Sequence, residues 1–93
     1  MSNFEWNEAK NVQNQIEHKV SFKQAQAAFD DPYALILEDD EHSTPDEERW
    51  YCVGAIANGI VTVRYTYRGD KIRIIGAGYW HKFRKLYWQN RGY

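Results

Sequence analysis

The 93-residue chain contains one cysteine, one methionine and two prolines, and it has no apolar run near the roughly 20 residues that cross a membrane. Cys52 alone closes no internal disulfide and lacks the companions of a zinc site. Internal repeats and linkers rich in glycine and serine are missing, so a single domain over residues 1–93 is expected. Neither a glycine-rich phosphate loop, nor a nucleophile elbow, nor the spacing of an EF-hand occurs. The opening Met1-Ser2-Asn3-Phe4-Glu5 does not read as a signal peptide. With the unpaired thiol, this points to a reducing cytoplasm and no membrane association.

Acid is nearly absent from the second half. Residues 49–93 carry nine cations against Asp70 alone, whereas residues 1–48 carry twelve acids against three lysines. The net charge of −1 therefore hides halves of about −9 and +8. Such asymmetry fits either a polyanion partner for the basic half or mutual pairing of the halves.

Hydrophobic patterning gives an α+β reading. A short strand over residues 3–6 is followed by a helix over 7–18, with Asn7 as N-cap and Ala9, Val12 and Ile16 as its apolar face. On a different face of that helix stand Lys10, Asn14 and His18. Ser21 and Gln24 form the capping-box pattern of a second helix, which buries Ala25, Ala28 and Phe29 and stops at Asp31-Pro32. A β-prone run over 33–37 leads into the acidic stretch EDDEHSTPDEE. Strands are expected over 49–56, 60–68 and 71–75, joined at Asn58-Gly59 and Gly69-Asp70. Gly76-Ala77-Gly78 breaks the pattern, and residues 79–89 read as a basic, aromatic helix with Trp80, Phe83, Leu86 and Tyr87 on one side. The order is β-α-α-β-β-β-β-α, with two N-terminal helices on one face of a small antiparallel sheet.

Alternation then sorts the strands into two faces. Trp50, Cys52, Gly54, Ile56, Val61, Val63, Tyr65, Tyr67, Ile72 and Ile74 share the face that the N-terminal helices cover. Arg49, Tyr51, Val53, Arg64, Thr66, Arg68, Lys71 and Arg73 share the other, with Arg68 opposite Lys71 and Arg49 beside Arg68. Like charges set opposite each other cost a sheet stability. Either the acidic run over 38–48 neutralises this face, or the face binds phosphate. Guanidinium groups suit phosphate oxygens, and Tyr51, Tyr79, Trp80 and Tyr87 suit stacking on unpaired bases. Single-stranded RNA fits better than duplex DNA, because no helix is offered to a major groove.

The segment FEWNEAKNVQNQIEHKVSFKQAQAAFDDP resembles the opening of the BrnT toxin family, F-x-W-D-x-x-K…N…K-H-G-V-S-F-x-E-A…F-x-D-P. Phe4, Trp6, Lys10, Asn14, His18, Val20, Ser21, Phe22, Ala25, Phe29, Asp31 and Pro32 match in order. Glu47-Glu48-Arg49 is similar to the family's E-E-R, and YTYRGDKIRII to its Y-T-x-R-x-x-x-I-R-I-I. The resemblance implies a RelE-like fold and the toxin half of a type II toxin–antitoxin pair, an endoribonuclease. It also implies a BrnA-like antitoxin with a ribbon-helix-helix domain, through which the complex reaches operator DNA. The chain departs from the pattern at Asn7 (aspartate in the family), at Lys19 (glycine) and at Gly76-Ala77-Gly78-Tyr79, where the family has S-A-R-K. Those last departures keep a second reading open, that of a catalytically degenerate module retained for antitoxin or RNA binding.

Metal-independent RNA cleavage needs cations for the crowded phosphorane and groups that move protons to and from the sugar oxygens. Arg68 and Arg73 are the first candidates for phosphate stabilisation, with Arg49 beside them. His18 and Lys10 are the candidates for proton transfer, although His18 also suits the end of a helix. Arg64, Tyr51, Lys71, Tyr79, His81 and Arg84 are the candidates for RNA binding. His42 reads as exposed, and residues 38–42 read as a solvated loop rather than a metal site; no metal or cofactor is expected.

Overall fold

The structure, a computed structural model, describes residues 3–92. Met1, Ser2 and Tyr93 lie outside the described residues, and with them the ends of the 1–93 domain assignment and the start of the Met1–Glu5 reading. The element order is the expected one: β1 (Phe4–Trp6), α1 (Glu8–His18), α2 (Phe22–Ala25), a 3₁₀ segment (Gln26–Asp30), β2 (Leu35–Glu38), β3 (Arg49–Ile56), β4 (Gly59–Arg68), β5 (Lys71–Gly78) and α3 (His81–Asn90). The sheet runs β1-β5-β4-β3-β2; every pairing is antiparallel except β1 with β5. No helix is long and apolar enough to cross a membrane.

The helical covering of one face is as expected. Val20, Phe22, Ala25 and Ala28 pack on Cys52, Val61, Val63, Tyr65 and Ile74, all buried. Each large side chain removed from water contributes roughly 1.5–3 kcal/mol, so this layer carries most of the fold's hydrophobic stabilisation. Burial also pushes the Cys52 thiol up to about 12, so it stays protonated. Tyr67 does not join this core. It is 57% exposed at the end of β4, past the reach of the 3₁₀ segment, and rests edge-on against Tyr65.

The caps follow their residues. Asn7 Oδ1 accepts from Lys10 N at 3.0 Å, so asparagine serves here as well as the family's aspartate. Ser21 and Gln24 exchange both bonds of a capping box. Lys19 closes α1 in the left-handed region, φ 60°, where the family pattern has glycine.

The buried face of α1 reverses the expectation. Val12 and Ile16 are 49% and 62% exposed and Ala9 is exposed, whereas Asn11 and Asn14 are buried. Asn11 Oδ1 accepts from Phe22 N at 2.9 Å. Asn14 Oδ1 accepts from Ala77 N at 3.1 Å, and its Nδ2 donates to Val20 O at 2.9 Å. The helix meets otherwise unpaired backbone groups here, and the Asn14 amide, with a donor and an acceptor, satisfies both N–H and C=O.

Register brings three further corrections. The β3–β4 turn is Ala57-Asn58, with Ile56 opposite Gly59, so Arg49 faces Thr66 rather than Arg68. This is a slip of two residues, which leaves the face of every side chain unchanged. Next, β5 does not stop at Gly76; it runs to Gly78, with Ile75 as an extra residue where the β4–β5 register shifts. Finally, α3 turns Phe83, Tyr87 and Trp88 inward, leaving Trp80 and Leu86 37% and 39% exposed. It lies on the second sheet face, over Val53, Ile60, Leu35 and Leu37.

Asp31 pins that helix. Its carboxylate accepts from Tyr33 N at 2.9 Å, from Ala55 N at 2.8 Å and from the Tyr87 hydroxyl. Burial opposes its charge, but those hydrogen bonds and the nearby Arg91 outweigh burial and hold its pKa below the usual value.

Candidate nucleic-acid interface

With α3 over one part of the second face, the rest stays open, and the strand register lays out its side chains in rows. Glu5, Arg73, Thr66 and Arg49 form one row; Gly76, Arg64 and Tyr51 form the next; Lys71 and Arg68 pair beside the β4–β5 turn. Arg49, Arg64, Arg68, Lys71 and Arg73 therefore share one face, as alternation requires.

Carboxylates reach part of this row. Glu47 takes Arg49 Nε at 2.9 Å and Arg68 Nη2 at 3.8 Å, and Glu5 takes Arg73 Nη1 at 3.0 Å. The acidic connection thus neutralises the turn-proximal cations through one residue instead of folding over the face. Thr66 is buried and donates to the Glu48 carbonyl, which ties the connection to β4. Lys71 is exposed at the turn.

Arg64 is different. Among the described residues no carboxylate lies within 4 Å of it. It is half-buried, and its guanidinium lies across Gly76; a Cβ there would sit 3.4 Å from Nε and 3.6 Å from Nη2. This places it in a cleft of about 220 Å³ with Lys10, His18, Gly76 and Trp80. Glu17, tied to Gln13 Nε2, is the carboxylate in that lining. His18 ends α1 with its ring 5.2 Å from that of Trp80. Lys10 and His18, far from the strands in sequence, thus meet Arg64 because Asn14 docks α1 beside β5.

A second depression, about 420 Å³, adjoins the first. It is lined by Asn58, Gly59 and Ile60 from the β3–β4 hairpin and by Tyr79, Trp80, His81, Arg84 and Trp88. Trp80 is the wall common to both. Its ring lies over Gly78, where a Cβ would come within 2.5 Å of it. Gly78 therefore makes room for an indole, whereas a Cβ at Gly76 would only touch the Arg64 guanidinium.

Tyr51 sits between Arg64 and α3, its ring 4.8 Å from Phe83. Burial raises its pKa and the Asp39 charge adds to this, with Arg64 opposing, so its hydroxyl is a hydrogen-bond donor at neutral pH. His42 is exposed, as expected, and its Nδ1 lies 2.9 Å from the buried Asp39 carboxylate. Among the described residues no three His, Cys, Asp or Glu side chains converge as metal ligands.

The candidates thus fall into three groups: Arg49, Arg68, Arg73 and Lys71 on the open sheet; Lys10, His18 and Arg64 in the cleft; Tyr79, His81 and Arg84 in the adjoining groove. Sequence reasoning placed Arg64 among the RNA-binding candidates on this face but did not foresee its cleft with Lys10 and His18. Plain alternation from the Gly69-Asp70 turn sets Ile75 opposite Arg64; only the register shift at Ile75 brings Gly76 there.

The fold is thus a small α+β protein whose sheet carries five cations on one face, beside a cleft of about 220 Å³. The sequence model of the family described as "Ribonuclease toxin, BrnT, of type II toxin-antitoxin system" matches residues 6–83, and the chain belongs to that family. A search of curated proteins finds no match. Membership makes it a member of a ribonuclease toxin family whose systems pair toxin with antitoxin.

Proposed function

We propose that the protein is a metal-independent endoribonuclease toxin of the cytoplasm that cleaves single-stranded RNA at the cleft of Lys10, His18 and Arg64. The observation that carries this reading is Arg64: a half-buried guanidinium with no carboxylate partner among the described residues, beside a lysine and a histidine. Arg64 stabilises the phosphorane. His18 takes the proton of the attacking 2′-hydroxyl, the Lys10 ammonium gives a proton to O5′, and the P–O5′ bond breaks to leave a 2′,3′-cyclic phosphate and a free 5′-hydroxyl. Arg49, Arg68, Lys71 and Arg73 extend the phosphate track. The pairs to Glu47 and Glu5 are part-buried at the edge of solvent, where surface ion pairs are worth about 0–1 kcal/mol, and a phosphate competes with the carboxylates for the same guanidinium groups. A BrnA-like ribbon-helix-helix antitoxin masks this face and supplies the contact with operator DNA.

The test is cleavage of single-stranded RNA by purified protein in excess chelator, free and in a translating extract. Arg64→Ala is expected to lower the rate at least a hundred-fold with the melting temperature retained. Cleavage that requires added divalent metal, or that survives Arg64→Ala, refutes the proposal.

One observation favours the second reading, a degenerate binding module: Arg49, Arg68 and Arg73 all have carboxylate partners, and Gly76 and Gly78 stand in the S-A-R-K segment. It predicts antitoxin binding with no growth arrest on expression. Arrest accompanied by RNA cleavage eliminates it.

A further inference from the structure

Phosphate capture does not account for the groove at the start of α3. Its walls are the rings of Tyr79, Trp80 and Trp88, and its polar rim is Asn58, His81 and Arg84. Large aromatic side chains ordinarily bury most of their surface. Here Tyr79 and Trp80 remain 39% and 37% exposed. Neither ring is adrift: Trp80 is seated on Gly78 and against His18, and the Tyr79 ring borders Gly59. Fixed ring faces open to solvent are stacking platforms, since a base that lands on them orders little new.

We infer that this groove is a nucleobase subsite selective for a purine, contiguous with the phosphate cleft. Stacking alone accepts every base. Selection comes from the two rim groups supplied by separate elements, Asn58 at the hairpin tip and Arg84 one turn into α3. An asparagine amide pairs with adenine N6 and N7, and a guanidinium pairs with guanine O6 and N7. Both use the N7 acceptor, which pyrimidines lack. The shared Trp80 wall sets the spacing: Gly76 to Trp80 spans about 13 Å at roughly 3.3 Å per residue, within reach of one flexible RNA strand. The inference takes its ligand from the RNA reading above, but it concerns base choice rather than cleavage.

Oligonucleotides of equal length made of riboadenosine, ribouridine or abasic ribose-phosphate separate the two, with binding measured across a salt series. The riboadenosine strand is expected to bind roughly ten-fold tighter than the ribouridine strand, with the abasic strand weakest. Asn58→Ala and Tyr79→Ala should abolish most of that preference and leave the salt slope unchanged. Asn58→Asp, which keeps the shape and removes the amide donors, should do the same. Arg64→Ala should instead weaken all three strands alike and make the slope shallower. Equal binding of the riboadenosine and ribouridine strands, or a preference untouched by the Asn58 and Tyr79 variants, overturns the inference. If the purine preference holds but no RNA is cut, the nuclease reading fails and the subsite stands; if RNA is cut with no base preference, the subsite fails alone.

Discussion

Replacing Asn14 by alanine should cost this protein far more than replacing Ile16, the reverse of what hydrophobicity suggests. Asn14→Ala removes the bond from Ala77 N at 3.1 Å and the bond to Val20 O at 2.9 Å. Each is worth roughly 0.5–1.5 kcal/mol net, and the buried backbone groups left behind cost about 1–3 kcal/mol more. The expected loss is about 2–6 kcal/mol, a large share of the roughly 5–14 kcal/mol available to a chain this long. Ile16 is 62% exposed, so Ile16→Ala trades little buried surface for better helix propensity and should stay within about 0.5 kcal/mol. Urea unfolding of both variants measures this directly, with an unchanged m-value showing that the compared states are the same. Asn14→Leu serves as the volume control and should fail to restore stability, since it satisfies neither backbone group. A costlier Ile16→Ala than Asn14→Ala, or a fully stable Asn14→Leu, would refute the account of how α1 is docked.

Three other outcomes are expected. Lys19→Gly should stabilise the fold by about 1 kcal/mol, because φ 60° strains any residue with a Cβ; a denaturation midpoint that does not rise counts against it. Gly76→Ala puts a methyl in ordinary contact with Arg64 Nε at 3.4 Å, so the fold and RNA affinity should both hold, as read by paired melts and binding; a large loss of either counts against the placement of Arg64. Asp31 has a lowered pKa in the folded state, so its stabilising contribution is full above its unfolded value near 3.8 and drains away as pH falls through the lower folded value. Asp31→Asn should therefore destabilise at pH 7 and flatten the fall in stability on acidification, seen in denaturation curves between about pH 5 and 2.

The secondary structure was largely legible in the chain because its signals are local. Asn7, Ser21 with Gln24, and Asp31-Pro32 mark helix ends through groups a few residues apart, and period-two alternation placed the five sheet cations on one face even though the β3–β4 turn comes one residue earlier than expected and the pairing slips by two. The candidate site was only half legible. Arg68 and Arg73 stood out by pattern, yet Glu47 and Glu5 approach them from segments whose path the sequence does not disclose. Arg64 looked ordinary until Gly76 was seen beneath its guanidinium.

Composition, spacing and local capping by themselves determined the α+β order, the split of charge between the halves, the sidedness of the sheet and the family. Tertiary structure alone decided which cations go without a carboxylate, which face of α1 turns inward, and that Lys10, His18 and Arg64 meet beside Trp80. The physical reason is range. Alternation and caps are set by neighbours along the chain, whereas the pairing of a buried amide or a guanidinium depends on which backbone or carboxylate arrives from tens of residues away, as Asn14 and Ala77 do.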